Sequence, residues 1–303
     1  MIEGRPSQTA AFVATWRALG AYLPPQFRLC RDPYGWSFSP PTVARLRPIA
    51  ERFPAATGRV LLATPLRRLL LWIQLRTRAI DDIAIDFARE GGRQIVLLGA
   101  GYDCRPARLA SELAGVRFFE VDHPMTQARK RSILASSGAR ANADYVAWDF
   151  ERDPLSELPS RLRGQGLDPD RPTLTIWEGV IPYLTEGAVE ATLSAVRAFG
   201  ADGSRVMLHY IERRRIARRT IWHLAASRLG EPLRFGWEPG ALPGWLRSRG
   251  FQLIGDRGDD ELARELFTSR WAESITGFRG AGGRIAVARP LWPNERASRT
   301  GVR

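Results

Sequence analysis

The chain has 303 residues, 44% hydrophobic and 25% charged, with a formal net charge of +13. That apolar content can bury a core and excludes a disordered chain, and the length suits one large α/β domain or two modest ones. Two cysteines, Cys30 and Cys104, exclude a disulfide scaffold, and no Cys/His spacing points to a bound metal.

The charge by itself points to nucleic acid, but the composition argues against that. Lys130 is the only lysine, and every other basic residue is arginine. Lysine is a good point-charge partner for phosphate, so its near-exclusion reads as codon pressure in a GC-rich genome, and no nucleic-acid partner is expected. The N-terminus lacks the apolar run of a signal peptide. The most apolar stretch, Val60 to Leu75, is interrupted by Arg67 and Arg68, whereas a membrane span needs about 20 apolar residues. A soluble cytoplasmic protein with no membrane partner is expected.

Residues 1–90 read as helical. Ser7 to Leu19 carries Phe12, Trp16 and Leu19 at helical spacing. Pro40 and Pro41 open a short helix. Thr64-Pro65 reads as an N-cap and first helical residue of a long helix running to about Glu90, where Gly91-Gly92 stops it. From residue 94 strands and helices alternate. Strands are expected at Gln94 to Leu98, Arg117 to Val121, Asp144 to Trp148, Leu174 to Trp177 and Arg205 to Tyr210. Helices are expected at Arg105 to Leu113, Met125 to Leu134, Leu155 to Leu162 and Thr185 to Phe199. This is the pattern of a parallel sheet with helices on both faces. Residues 211–245, with a Trp-rich stretch around Trp222, break the rhythm and read as an insertion. Phe251 to Ile254 and Ile285 to Ala288 read as closing strands, and residues 291–303 as a frayed tail. The expected organisation is a helical cap over 1–90 that contributes to the active site and a core over 91–290.

Ligands of open α/β sheets bind outside the carboxyl ends of the strands. The residues after the first four strands are Gly99-Ala100-Gly101, Asp122, Asp149 and Glu178. A glycine turn admits a ligand close to the backbone, and an acid about 20 residues on can hold two ribose hydroxyls. A nicotinamide dinucleotide and S-adenosylmethionine both fit so far. A dinucleotide needs a third glycine where its pyrophosphate meets the helix N-terminus, and here that position is Cys104. S-adenosylmethionine has no phosphate to place there. Its carboxylate wants a cation, which Arg76 or Arg78 could supply. An NAD(P)-dependent Rossmann oxidoreductase and a basic nucleic-acid-binding protein are the alternative readings.

Five motifs, in order, carry a family resemblance: Arg76-Thr77-Arg78-Ala79-Ile80-Asp81-Asp82, Leu98-Gly99-Ala100-Gly101-Tyr102-Asp103, Phe119-Glu120-Val121-Asp122-His123-Pro124, Trp177-Glu178-Gly179-Val180 and Tyr183-Leu184. Together with Pro6-Ser7-Gln8-Thr9-Ala10 and Gly230-Glu231-Pro232 they resemble the leucine carboxyl methyltransferase family, in its bacterial branch of S-adenosylmethionine-dependent enzymes. The resemblance implies a class I methyltransferase fold, a seven-stranded Rossmann-like sheet with its last strand antiparallel. It also implies that Arg76 binds the cofactor carboxylate, Gly99 and Gly101 line the methionine end, Asp122 holds the ribose, Asp149 and Phe150 flank the adenine, and Glu178 faces the amino group. The sequence departs from the family at Cys104, where threonine is usual, and at Phe150, where leucine is commoner.

An acceptor hydroxyl would need a general base, whereas a carboxylate is already nucleophilic. His209, Tyr210 and Tyr183 are the candidate catalytic side chains, and none is an obvious base. The expected activity is therefore O-methylation of a small, anionic metabolite, on a carboxylate ahead of a hydroxyl.

Overall fold

The computed structural model describes residues 6–139, 141–150, 152–216, 232–267 and 283–292. α1 (Gln8–Leu19) begins where Ser7 Oγ accepts the Ala10 N–H at 3.1 Å. Trp16 is buried, but Phe12 lies on the exposed side. Three short helices follow: α2 (Pro41–Ala44), α3 (Arg47–Arg52) and α4 (Pro54–Ala63). Each has a proline at its start, where the missing N–H costs no hydrogen bond.

The long helix α5 (Arg67–Arg89) starts later than the Thr64-Pro65 pair predicts. Thr64 ends α4 instead: its hydroxyl turns back to donate to the Leu61 carbonyl at 2.9 Å, so it does not cap α5. α5 joins two packing regions. Leu69, Leu70 and Ile73 pack with Trp16, Leu23 and Phe27 of the N-terminal segment, and Ile80, Ala84 and Phe87 pack with Ile95 and Leu97 of the sheet. At its end the Gly92 N–H reaches the Phe87 carbonyl at 2.9 Å and the Gly91 N–H reaches Ala88 at 3.1 Å, with Gly91 at φ +100°. This is a Schellman closure, and it needs the left-handed conformation that glycine supplies.

The sheet contains β1 (Gln94–Leu98), β2 (Arg117–Asp122), β3 (Ala143–Ala147), β4 (Thr173–Trp177), β5 (Arg205–Ile211), β6 (Phe251–Gly258) and β7 (Gly283–Pro290). Their spatial order is β3-β2-β1-β4-β5-β7-β6. The first five strands are parallel, and β7 runs antiparallel between β5 and β6. The remaining described helices are α6 (Arg105–Arg108), α7 (Pro124–Ser136), α8 (Leu158–Gly164), α9 (Glu186–Phe199), α10 (Arg213–Ile216), α11 (Leu242–Ser248) and α12 (Asp259–Leu266). One face of the sheet packs on Leu158, Leu162, Leu193 and Leu246, the other on α5 and Leu262. Coverage on both faces explains why every residue of β1 and β4 is buried. The fold is the expected seven-stranded α/β sheet with helices on both faces.

Several boundaries differ from the sequence reading. The helix predicted for Arg105 to Leu113 is a single turn, after which Leu109 leaves helical geometry at φ −110°. β6 and β7 are each eight residues long because they pair with one another beyond the apolar runs that announce them. Residues just past β7 are anchored: the Leu291 N–H donates to Gly250 at 2.7 Å, and its carbonyl accepts from Arg197 at 3.1 Å. Trp222, Gly230 and Glu231 of the predicted insertion, and the tail from residue 293, lie outside the described residues. Among the described residues no helix is long and apolar enough to cross a membrane.

A Cβ at Gly91 would meet nothing within 4 Å, so Gly91→Ala isolates the backbone cost of a left-handed residue. The expected loss is about 1–2 kcal/mol, read from the urea midpoint at unchanged slope.

Candidate functional site

Parallel register brings the strand ends to one edge. Leu98 sits opposite Val121, and Asp122 sits opposite Ala147. The Gly99 and Ala100 N–H groups both donate to the Val121 carbonyl, at 2.8 and 3.1 Å, which folds the turn over β2. Gly99 and Gly101 have φ of +66° and +48°. A Cβ on Gly99 would come within 2.4 Å of Val180 Cγ2, so the loop after β4 packs directly on this turn.

Asp122 closes the turn. Its buried carboxylate accepts the Gly101 N–H, and the His123 N–H at 2.6 Å. Burial pushes this carboxyl up, and the two N–H groups only partly offset that. His123 caps α7 through Nδ1, and its Nε2 lies 3.7 Å from Asp149. Phe150 is half-buried against the core beside Trp148. Asp122, His123 and Asp149 thus gather at the ends of β2 and β3.

Glu178, one residue past β4, is held by two arginines. Arg76 Nε lies 2.8 Å from Oε1, and Arg105 Nη1 lies 2.7 Å from Oε2. Arg76 also lies over the Trp72 ring at 4.5 Å from its centroid. Arg105 is almost wholly buried and pairs with Asp81 at 2.7 Å and with Asp103 as well. Arg108 shares Asp81 at 2.7 Å. Arg17 of α1 pairs with Asp32 at 2.9 Å and donates to the Tyr102 carbonyl of the glycine loop at 2.5 Å. Burial alone would raise the Glu178 carboxyl, but Arg105, Arg76 and Arg17 hold it well below the usual carboxylate range. Asp103 is held low in the same way, by Arg105 above all.

The sequence reading missed Arg17, Asp32, Asp103 and Arg105 as parts of this site. Asp103 and Arg105 directly follow the glycine turn, which was a usable signal. Arg17 carried none, because its partner lies across a loop. Asp81 and Asp82 divide their roles: Asp82 takes the exposed Arg78 at 2.8 Å, while Asp81 faces inward to Arg105 and Arg108. Arg78 is therefore not the cation at the sheet edge.

The three candidate catalytic side chains separate. His209 is buried, with neither ring nitrogen hydrogen-bonded, and its ring centroid lies 5.8 Å from that of Trp72. Burial and the nearby Arg76 push its pKa down to about 3, so it is neutral at physiological pH. Tyr210 departs from the candidate role. Its hydroxyl donates to Asp256 at 2.7 Å, and burial drives the phenol further from ionising. Tyr183 sits half-buried in the turn Ile181–Tyr183, near Arg76. Asp259, missed in the sequence, lies at the start of α12 and accepts the Gly283 N–H at 2.8 Å. Burial pushes its carboxyl up to about 7, against opposing contributions from Trp72 and Gly283.

The family model for leucine carboxyl methyltransferase matches residues 10–197, more than half of the chain. The chain belongs to the leucine carboxyl methyltransferase family. A relative from Mycolicibacterium smegmatis, described as a "putative S-adenosyl-L-methionine-dependent methyltransferase", is 32% identical over 204 residues, covering 63% of each chain. The chain thus spans under two thirds of that relative's length. Among solved structures, a duf574 family protein from Streptomyces avermitilis aligns over 96% of this chain and 100% of its own, with a TM-score of 0.63 at 16% identity. A "putative methyltransferase" from Thermobifida fusca aligns over 91% and 98%, with a TM-score of 0.56 at 17% identity. At those identities the two structures support the family fold alone. The family match takes in the glycine turn, Asp122, Asp149 and Glu178.

Removing Arg105 takes a cation from three carboxylates: Glu178 keeps Arg76 and Asp81 keeps Arg108, while Asp103 loses its ion pair. Arg105→Met is expected to cost about 3–5 kcal/mol at pH 7 in urea unfolding, against under about 0.5 kcal/mol for Arg78→Ala at its exposed helical pair. Glu178 and Asp103 have depressed folded-state pKa values, so their pairing stabilises the fold above the ordinary carboxylate range and is lost as pH falls through the depressed values. The gap between wild type and Arg105→Met therefore narrows on acidification below about pH 4.

Proposed function

We propose that the chain is an S-adenosylmethionine-dependent O-methyltransferase acting on a carboxylate of a small metabolite. The observation that carries the cofactor choice is the start of α6. Asp103 Oδ1 accepts the Arg105 N–H at 2.9 Å, so a carboxylate already occupies the helix N-terminus where a dinucleotide would lay its pyrophosphate. Asp103 would repel that phosphate and does not hinder a sulfonium cofactor. This disfavours the NAD(P) alternative.

The donors at the edge fit the cofactor's groups. Arg76 Nε and Glu178 Oε1 are buried and ion-paired, yet neither makes a hydrogen bond of good geometry. A zwitterionic methionine end would complete both, its carboxylate on Arg76 and its ammonium on Glu178. A Cβ at Gly179, with φ +72°, would meet nothing within 4 Å, so the backbone beside Glu178 is open to close approach. Asp122 keeps acceptor capacity for ribose hydroxyls beyond its two backbone bonds. Asp149 and Phe150, just past β3, would take the adenine amine and ring. The cofactor supplies an electrophilic methyl group.

The bases on hand support a carboxylate acceptor. His209 is neutral and weakly basic, and Tyr210 is committed to Asp256. A carboxylate acceptor would need neither, because it is already nucleophilic and no proton has to be taken from it. The chain's task is then to align acceptor and methyl group and exclude water. A hydroxyl acceptor is the second reading, and Asp259 favours it as a buried carboxyl raised to about 7 beside Trp72.

Calorimetry with S-adenosylhomocysteine is expected to show binding, and Asp122→Ala should weaken it about 10- to 100-fold, the worth of one or two hydrogen bonds to a charged group. Binding of NAD but not of S-adenosylhomocysteine would reverse the cofactor choice. Turnover on a carboxylic acid should be flat from pH 6 to 9. A limb near pH 7 that vanishes in Asp259→Asn would shift the reading to a hydroxyl acceptor.

A further inference from the structure

Position 130 is the one place where this arginine-rich chain keeps a lysine. Whatever replaced lysine elsewhere did not do so here, and the local structure gives a reason. Lys130 is buried on α7, with 1% of its surface exposed. Its Nζ donates to Glu120 Oε2 at 2.6 Å and to the Asp103 carbonyl. Glu120 lies two residues before Asp122 on β2, so both point to the same face of the strand. Asp103 ends the glycine loop, its N–H donating to the Ala100 carbonyl at 2.8 Å. One turn earlier on α7, Gln127 donates to the Glu120 carbonyl at 3.2 Å and to Val146 at 3.1 Å. The ammonium therefore sits where α7, β2 and the glycine loop meet.

Arginine is a poor substitute there. Its planar fork carries five donors, and this buried site offers the compact three-donor ammonium two accepting oxygens. Stability alone does not explain why the pair is kept, because a buried ion pair replaced by apolar groups of similar volume is often no less stable. What the pair supplies is a fixed position for a loop carbonyl.

We propose that Lys130 is a positioning residue: its ammonium clamps the Asp103 carbonyl to Glu120 and thereby sets the glycine loop, residues 99–103, and the adjacent Asp122 for the adenosyl ligand. The ligand part rests on the cofactor reading above, whereas the loop part stands without it.

Lys130→Met alone leaves the Glu120 carboxylate buried without a partner, so the informative variant is the full-length double substitution Lys130→Met/Glu120→Leu. It is expected to unfold cooperatively near the wild-type temperature. Its peptide over residues 99–103 should exchange amide hydrogens at least tenfold faster than wild type. Its affinity for S-adenosylhomocysteine should fall at least tenfold, and Lys130→Arg should not retain wild-type affinity. Exchange and affinity both within twofold of wild type in the double variant would overturn the proposal. Faster loop exchange in a protein whose wild type binds no S-adenosylhomocysteine would uphold the loop clamp and instead refute the cofactor reading.

Discussion

One buried guanidinium holds the site together. Arg105 joins Asp81 of α5, Asp103 of the glycine loop and Glu178 at the end of β4. These segments are distant in sequence, and each contributes a charge that would be costly to bury alone. Around this hub, Arg17, Arg76, Arg108 and Lys130 face Asp32, Asp81, Glu120 and Glu178, so that five cations meet five carboxylates with Arg105 and Asp103 counted. The balance is what makes the array tolerable in a low-dielectric interior. It also fixes the geometry, because Arg105 cannot turn away without withdrawing a cation from three carboxylates at once. A site assembled this way is preorganised before any ligand arrives.

The balance changes the meaning of the net charge of +13. None of the surplus belongs to the buried array, which is neutral as a set. Arg76 is charged for a local reason, facing Glu178 and Trp72. The surplus sits elsewhere, where it sets solubility and the long-range field rather than the chemistry of the sheet edge.

Much of this was legible in the sequence. Strand runs such as Gln94 to Leu98 and the acids that follow them are local signals, and parallel pairing converts their order along the chain into neighbourhood at one edge. The long-range ion pairs were not legible, because no local pattern says that Arg17 meets Asp32 or that Lys130 meets Glu120. The start of α5 was misread because a threonine before a proline looks like a cap whether its hydroxyl turns forward or, as at Thr64, back toward Leu61. Tyr210 looked available because a strand-end position says nothing about Asp256, which arrives on β6 from 46 residues away.

The central claim is that a rigid, pre-paired ionic array presents the sheet edge to an adenosyl ligand. The most direct measurement is a crystal structure of the full chain with S-adenosylhomocysteine. The account predicts the ribose on Asp122 and Arg105 still bound to Asp81, Asp103 and Glu178. A ligand bound away from the glycine turn, or an Arg105 swung out to meet it, would contradict the account.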